Sequence, residues 1–232
     1  MPASLPPDAP VLVLATPGQT QGPAAEIANL VSVDNPQIEV RLATVEALPE
    51  AIPAGRPAIV VPLLLWSDPD VMARIQQTVP EGTTVTESLG PHPLLAEALH
   101  IRLAEKELAR VDRMRLLSVS NPVDAVILGT VGGERAVHEA QATAVLLASR
   151  LTLPVVAASL DSEPGVGVAA ERLRAAGAQR LAISPCLIGD ESAPGTLEAA
   201  ARGIGAGYAE PLGAHGAVAE LVARAYGSQL AT

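Results

Sequence analysis

The feature that most constrains this chain is a signature that occurs twice, at residues 89–97 and 212–220. Each copy reads Leu-Gly-x-His, followed after three further residues by Ala-Glu. Matching positions in the two copies are 123 residues apart, and the same offset separates Pro62 from Pro185, each of which follows an apolar run. This shared spacing predicts a tandem duplication of a unit of about 115 residues.

Short apolar runs alternate with helical stretches in both halves. Runs without polar positions, such as residues 11–15 and 58–65, are typical of parallel strands that are buried on both faces. The alternation predicts an α/β fold with two similar domains, each an open, mostly parallel sheet flanked by helices. The repeat places these domains at residues 1–117 and 118–232. Further strands are predicted at 38–43, 83–87, 123–128, 155–160 and 181–185, and helices at 23–31, 93–111, 134–151, 168–176 and from the second signature to about 225.

The composition excludes several classes of function. Aromatic side chains make up 1% of the residues, so the stacking platforms used to bind single-stranded nucleic acid are missing. The net charge is −10 and no basic cluster occurs, which makes nucleic acid and anionic membranes poor partners. The longest apolar run, residues 58–66, is far shorter than the ~18 residues of a membrane span.

Two features predict a cytoplasmic protein. The first basic residue is Arg41, so a secretory signal would lack its positively charged start. The single cysteine, Cys186, excludes an intramolecular disulfide and fits a reducing compartment. Because Cys186 directly follows an apolar strand, we expect it to be a small core residue.

Ligands of open parallel sheets bind beyond the carboxyl ends of the strands. We expect six turns of this chain at that edge, and we expect the two halves to enclose a cleft. One of these turns contains Gly132 and Gly133, which could hold an anion at a helix start. That turn lacks the G-x-G-x-x-G pattern of dinucleotide sites. The six turns lie at residues 16–20, 66–70, 87–92, 131–135, 186–192 and 210–215.

Three segments resemble the CbiX/SirB family of sirohydrochlorin chelatases: PLLLWSDPDVMARI at 62–75, LGPHPLLAEAL at 89–99 and EPLGAH at 210–215. The resemblance covers almost the whole chain and includes the family's duplicated, two-domain form. It implies a lyase-class metal chelatase of cobalamin or siroheme biosynthesis. The substrates would be a tetrapyrrole and a divalent metal, cobalt or iron, and no organic cofactor would be required. Because the duplication supplies both halves, a monomer is expected.

The two histidines with which this family holds metal are replaced here. At the first position the turn reads T-P-G-Q at residues 16–19, so that Thr16 or Pro17 takes the place of histidine. At the second position, a count from Pro62 without gaps gives Asp70. We assign Thr16 and Asp70 as candidate catalytic residues, with Asp70 as a weak oxygen ligand for metal. Neutral imidazole suits both the ligand and the base of this reaction, so its loss predicts reduced or absent metal insertion.

The histidine of each signature lies close in sequence to a glutamate just before the signature, His92 to Glu87 and His215 to Glu210. The positive end of a helix dipole favours neutral imidazole, so both histidines could line the cleft and act as weak metal ligands. The alternative is structural: the histidines cap their helices and the glutamates bond the backbone of the turn. The duplication favours this alternative, because a turn that determines the fold would be kept in both halves.

Four further residues are expected to line the cleft. Gln19 can form hydrogen bonds, and Trp66 either stacks on a flat ligand or fills a gap between layers. Arg74 and Arg135 are the arginines nearest the predicted edge, a small supply for a ligand with many carboxylates. The remaining histidines, His100 and His138, fall within helices and are expected to be solvated.

Two functions remain open, and a third is a purely structural partner protein that binds no ligand. One is a sirohydrochlorin chelatase-like enzyme that inserts a divalent metal into a tetrapyrrole, with reduced or lost activity. The other is a non-catalytic homologue that binds a tetrapyrrole, a metal or a protein partner in the interdomain cleft. Restoring the missing histidines separates the two, since it creates activity only if the rest of the cleft is intact.

Overall fold

The computed structural model describes residues 9–110, 121–189 and 191–230. It contains two four-stranded parallel sheets flanked by helices, which confirms the predicted α/β fold class. Among the residues described, no helix is both long and apolar enough to cross a membrane.

In chain order the elements are β1 (Val11–Thr16), α1 (Pro23–Asp34), β2 (Val40–Thr44), α2 (Leu48–Ala51), β3 (Ala58–Pro62), α3 (Pro69–Thr78), β4 (Thr84–Val85), α4 (Pro93–Glu105), β5 (Ala125–Thr130), α5 (Gly133–Glu139), α6 (Gln141–Leu151), β6 (Val155–Ser159), α7 (Val166–Ala175), β7 (Leu181–Pro185), α8 (Thr196–Ile204), β8 (Gly207–Tyr208) and α9 (Gly216–Leu230).

The first sheet has the order β2-β1-β3-β4, and all neighbouring strands are parallel. β1 is buried at every position, as a central strand covered on both faces must be. On one face, Val13 and Val60 pack with Leu48 of α2 and Ile75 of α3. On the other face, α1 and α9 pack on each other, and α9 also contacts β3.

The second sheet repeats this arrangement with the order β6-β5-β7-β8. On one face, Ile127 and Ile183 belong to a core that includes Leu173 of α7 and Ala201 of α8. On the other face, α4 packs on α6, and α4 also contacts β7. Both sheets therefore have the aliphatic core that the composition requires.

The duplication extends to individual backbone hydrogen bonds. The N–H of Leu89 donates to the carbonyl of Leu64 at 2.8 Å, and the N–H of Leu212 donates to the carbonyl of Leu187 at 2.8 Å. Both members of the second pair follow their counterparts by 123 residues, the offset found in the sequence. The repeated signature therefore starts from the same strand-to-turn geometry in both copies.

The chain forms two compact units that exchange their last helices. Unit 1 consists of Met1–Gly90 with Gly213–Thr232, and unit 2 consists of Pro91–Leu212. The chain therefore passes from one unit to the other within each copy of the signature, so that α4 belongs to unit 2 and α9 to unit 1. The domain boundary that the repeat predicts at 117/118 lies outside the described residues.

Several elements differ in extent from those predicted. The strand expected at 58–65 ends at Pro62, which has no N–H to continue the ladder. The helix expected at 134–151 consists of α5 and α6, which meet at Ala140. α2, α3 and α8 were not predicted, although α3 and α8 are clearly amphipathic.

Candidate functional site

The carboxyl ends of three strands lie together in unit 1. Ala15 of β1 is paired with Pro62 of β3, and Thr16 is paired with Thr44 of β2. The loops after these strands therefore leave the sheet at one edge, where ligands of such sheets bind. The candidate residues on these loops and on the helix that follows them are Thr16, Gln19, Trp66, Asp70 and Arg74.

Thr16, the last residue of β1, is 6% exposed. Its Oγ1 accepts the N–H of Gly18 at 3.2 Å, which stabilises the turn after the strand. The hydroxyl thus has a structural role, and a hydroxyl does not accept a proton near neutral pH as imidazole does. Pro17 and Gln19 are exposed, so these residues form the outer surface of the turn.

Asp68, which the sequence analysis did not single out, organises the start of α3. Its Oδ1 accepts the N–H groups of Asp70 at 3.0 Å and of Val71 at 3.1 Å, and Pro69 takes the first helical position. An aspartate directly before a proline at a helix start is a recognisable N-cap signal. Asp70 itself is exposed in the first turn, where its negative charge is favourable to the helix dipole.

Arg74 forms an ion pair with Glu46, which follows β2, so the pair connects two of the segments at this edge. The side chains are 54% and 66% exposed, and an ion pair in that setting adds little to stability. The pKa of the Glu46 carboxyl is lowered, first by its own backbone N–H and then by the charge of Arg74. Trp66 is half-buried on the loop after β3, which leaves part of its ring available for stacking.

His92 and His215 both act as helix caps. The Nδ1 atom of His92 accepts the N–H of Leu94 at 3.0 Å, and the Nδ1 atom of His215 accepts the N–H of Ala217 at 3.1 Å. These bonds satisfy backbone donors that have no partner within the helix. The hydrogen bonds therefore match the structural interpretation of the two histidines.

The two glutamates that precede the signatures, Glu87 and Glu210, differ in their surroundings. Glu210 forms an ion pair with Lys106, with an Nζ to Oε1 distance of 2.8 Å. Lys106 directly follows α4 and lies in the same unit as Glu210. Glu87 is exposed at the end of the first sheet.

In unit 2 the glycine turn after β5 is occupied by the protein's own side chains. The N–H of Gly132 donates to Oδ1 of Asp161 at 3.1 Å, and the N–H of Gly133 donates to the hydroxyl of Ser159 at 3.3 Å. Partial burial opposes ionisation of Asp161, but hydrogen bonds from Ser159, Gly132 and Ser162 outweigh it and lower its pKa. The predicted anion position is thus taken by an internal carboxylate, and Arg135 lies exposed on α5 nearby in sequence.

A second internal carboxylate stabilises the loop after β7. Glu191 accepts the N–H groups of Ile188 and Gly189, each at 2.6 Å. Cys186 is buried at 1% exposure, as predicted for a small core residue. Burial, and secondly the charge of Glu191, raise the pKa of its thiol to about 12, so the reactive thiolate is not populated at neutral pH.

His100 is buried, and the prediction that it is solvated was wrong. It is 8% exposed, and its ring lies between the carbonyl of Arg110 at 2.6 Å and the guanidinium of Arg150 at 3.2 Å. The prediction failed because α4 packs on α6, a contact that the sequence repeat does not reveal. His138 is exposed on α5, as predicted.

The described part of the chain contains no group of three or more His, Cys, Asp or Glu side chains placed to hold a metal ion. Asp70 and His215, the predicted weak ligands in unit 1, are therefore not brought into such a group. What the edge of unit 1 offers is a half-buried indole and an exposed turn, together with carboxylates and one arginine. These groups suit hydrogen bonding and stacking rather than coordination of cobalt or iron.

No family model matches the chain, and no curated protein is similar to it in sequence. Solved structures are similar in fold. The sirohydrochlorin chelatase SirB of Bacillus subtilis subspecies spizizenii, solved with cobalt, superimposes with a TM-score of 0.67 at 13% identity, covering 95% of this chain and 94% of SirB. CbiX, the terminal enzyme of siroheme biosynthesis in denitrifying bacteria, gives 0.63 at 20% identity, covering 94% and 98% of the two chains.

A third structure has the same fold as part of a larger protein. A multi-domain protein of Deinococcus radiodurans, described as similar in structure to chelatases with two additional domains, gives a TM-score of 0.66 at 18% identity. The match covers 94% of this chain and 55% of that protein. The identities are low, so the comparisons establish the fold rather than the activity. This chain has the two-sheet fold of the sirohydrochlorin chelatases over nearly its full length.

Proposed function

We propose that this protein is a chelatase-like protein of tetrapyrrole metabolism that binds a tetrapyrrole but has lost histidine-dependent metal insertion. The chelatase fold over nearly the whole chain supports a tetrapyrrole as ligand. The loss of metal insertion is inferred from Thr16. Where the resemblance expects a histidine, β1 ends in a buried hydroxyl that is bonded to Gly18.

Metal insertion requires a ligand that delivers the metal, a base that accepts two pyrrole N–H protons, and walls that hold the macrocycle. Imidazole would supply the first two near neutral pH. The hydroxyl of Thr16 supplies neither, and the Nδ1 atoms of His92 and His215 are engaged as helix caps. Trp66, half-buried at the strand edge, is the candidate wall for a flat ligand.

A slow metal-inserting enzyme is the second candidate, and the exposure of Asp70 favours it. An exposed carboxylate near the edge of the first sheet can accept a proton and bind a divalent ion through oxygen. Oxygen is a harder and weaker ligand than imidazole for cobalt or iron. In this candidate the metal is a substrate, and Asp70 is the residue that presents it.

A titration of the purified protein with sirohydrochlorin tests the binding proposal. We expect a saturable change in the visible absorbance of the tetrapyrrole, accompanied by quenching of the fluorescence of Trp66, the single tryptophan. In Trp66→Phe the fluorescence signal is lost while the absorbance change reports whether binding survives. If sirohydrochlorin causes no saturable change in either signal, the proposal is wrong.

An insertion assay with sirohydrochlorin and cobalt or ferrous ion separates the two candidates. The proposed binding protein inserts metal no faster than the protein-free control. A rate above that control, abolished in Asp70→Asn and kept in Asp34→Asn, would instead establish the slow enzyme. Asp34 is a suitable control because it is exposed at the end of α1, away from the strand edge.

A further inference from the structure

Unit 2 contains a cavity of about 560 Å³ along one face of α4. Its volume is in the range of small-molecule sites in proteins, roughly 300–1,000 Å³. None of the residues predicted from the sequence to line the tetrapyrrole site borders it. The described residues that line it are Pro93, Ala96, His100, Leu108, Ala109, Arg110, Asn121, Pro122, Leu146, Ser149, Arg150, Leu151, Thr152 and Leu153.

The cavity reaches the opposite edge of the sheet from the turns where chelatase-like chemistry is expected. Residues 121–122 lie just before β5, and residues 152–153 lie just before β6, so both border the amino ends of these strands. The turns that carry Gly132 and Asp161 follow the carboxyl ends of the same strands. A ligand in this cavity would therefore occupy a site separate from the carboxyl edge of the sheet.

A hydrogen-bonded network orients one guanidinium at this cavity. The Nε atom of Arg150 donates to Nδ1 of His100 at 3.2 Å, and its Nη2 atom lies 3.3 Å from Oε1 of Glu97. Because Nδ1 of His100 accepts, the ring proton lies on Nε2, which donates to the carbonyl of Arg110 at 2.6 Å. The contacts with His100 and Glu97 therefore hold the guanidinium of Arg150 in one orientation.

The described lining residues include both basic and aliphatic side chains. Among the described lining residues, Arg110 and Arg150 are basic and none is acidic, although the whole chain carries a net charge of −10. Leu108, Leu146 and Leu153 contribute aliphatic side chains to the same cavity. This pairing of an oriented arginine with leucines fits a ligand that has an anionic head and an apolar body.

The duplication provides an internal comparison for this network. The residues of α9 that correspond to His100 and Leu103 at the offset of 123 are Ala223 and Tyr226. Unit 1 thus has no imidazole at the equivalent helical position and places a large buried side chain one turn later. The imidazole of unit 2 is therefore not required by the fold that the two units share.

We propose that the cavity of unit 2 binds a small organic monocarboxylate, with the carboxylate on Arg150 and the apolar body against the leucines. Arg150 is the specificity-determining residue, and His100 positions it. The proposal does not depend on tetrapyrrole binding, because it concerns the other edge of a sheet and a different chemical class of ligand.

Isothermal titration calorimetry of the full-length protein with octanoate, and in parallel with octan-1-ol, tests the proposal. Both probes offer the same aliphatic body, and only octanoate carries a charge. We expect one saturable site for octanoate and binding about tenfold weaker for octan-1-ol, the difference that one charge-assisted hydrogen-bonded contact produces. No saturable binding of octanoate by the wild type overturns the proposal.

Three variants locate the site. Arg150→Gln should weaken octanoate about tenfold and leave octan-1-ol unchanged, whereas Arg172→Gln should change neither, since Arg172 is exposed on α7 and does not line the cavity. Leu146→Trp should fill the cavity and abolish binding of both probes. It serves as a second test if Arg150→Gln proves unstable in thermal unfolding.

Two results would contradict the assignment even if octanoate binds. One is an Arg150→Gln variant that is folded and keeps the full preference for octanoate over octan-1-ol. The other is a Leu146→Trp variant that is folded and binds octanoate as the wild type does. Sirohydrochlorin titration of the same variants should match the wild type, so failure of this proposal is distinguishable from failure of the proposed function.

Discussion

Tyr226, in α9, donates its hydroxyl hydrogen to the carbonyl oxygen of Pro10 at an O to O distance of 2.6 Å. The side chain is fully buried, and Pro10 directly precedes β1. This contact joins residues that are 216 positions apart in the sequence. It shows how the last helix of the chain belongs to the first sheet rather than to the sheet that precedes it in sequence.

We predict that Tyr226→Phe lowers the free energy of unfolding by about 1 kcal/mol, because it removes one hydrogen bond and leaves the Pro10 carbonyl without that donor. Tyr226→Ala should lower the free energy of unfolding by roughly 3–5 kcal/mol, because it removes the hydrogen bond and also leaves a cavity where the ring was. Urea denaturation followed by circular dichroism measures both values. The control is Tyr208→Phe at the half-buried end of β8, for which we expect a change within about 0.5 kcal/mol. A Tyr226→Phe variant as stable as the wild type would contradict the role given to this bond.

The sequence predicted the sheets but not the exchange of helices, and the reason is physical. Apolar runs such as residues 11–15 identify strands because burial on both faces leaves a local pattern. The choice of sheet for α4 depends on packing against α6 and β7, which are distant in sequence, and both sheets offer similar aliphatic surfaces. The sequence of α4 therefore contains no periodic pattern that indicates which of the two sheets it packs on.

His92→Asn should retain most of the stability of the wild type, because asparagine is a good N-cap, whereas His92→Ala should cost about 1 kcal/mol. The equivalent pair at His215 should behave in the same way, since its Nδ1 makes the same bond. Thermal unfolding of the four variants measures the effect. If the histidines are caps only, sirohydrochlorin titration of the asparagine variants should match the wild type.

The opposite pattern would identify a ligand role for these histidines. A His92→Asn variant that is fully stable but binds sirohydrochlorin at least about tenfold more weakly would show that the imidazole contacts the tetrapyrrole. Glu220→Gln is a matched control, because Glu220 lies in the second signature but forms an exposed ion pair with Arg224 on α9. It should change neither stability nor binding appreciably.

Restoring both family histidines should create metal insertion. Pro17→His with Asp70→His places two imidazoles at exposed positions near the carboxyl edge of the first sheet, where they can bind cobalt and accept protons. Thr16→His with Asp70→His tests the other alignment, at a cost of about 1–3 kcal/mol because Thr16 is 6% exposed and tightly packed. The rate of cobalt insertion into sirohydrochlorin, followed by absorbance, is the measurement.

The matched control for this gain of cobalt insertion is the double variant Asp70→His with Gln77→His. Gln77 is exposed on α3, beyond the first turn, so its imidazole adds a ligand without restoring the family's position. We expect this control to insert cobalt no faster than the wild type. If neither restored variant exceeds the control, the edge of unit 1 is not arranged for chelatase chemistry, and the proposed ligand would need to be reconsidered.

Sequence reasoning identified candidate residues from family positions and local patterns, but not contacts between distant segments. Thr16 was proposed because it takes the place of the family's histidine after β1, and its hydrogen bond to Gly18 is local. Asp161 and Glu46 were missed, because their partners, the amide of Gly132 and the guanidinium of Arg74, are 29 and 28 residues away. The environment of His100 was missed for the same reason, since Arg150 is 50 residues distant in sequence.

Asp124 should make stability depend on pH in acid. Its carboxylate accepts three hydrogen bonds. The guanidinium of Arg180 donates one at 2.7 Å, and the backbone N–H groups of Arg180 and Gln179 donate the others at 2.8 Å and 3.0 Å. These bonds, the side chain of Arg180 first, lower its pKa from 3.8 to about 2. A lowered pKa in the folded state means that the stabilisation is present above pH 3.8 and is lost as the pH falls toward 2. The stability difference between the wild type and Asp124→Asn, measured by urea denaturation, should therefore shrink over this window. A difference that stays constant down to about pH 2 would show that Asp124 is not held by Arg180 in solution.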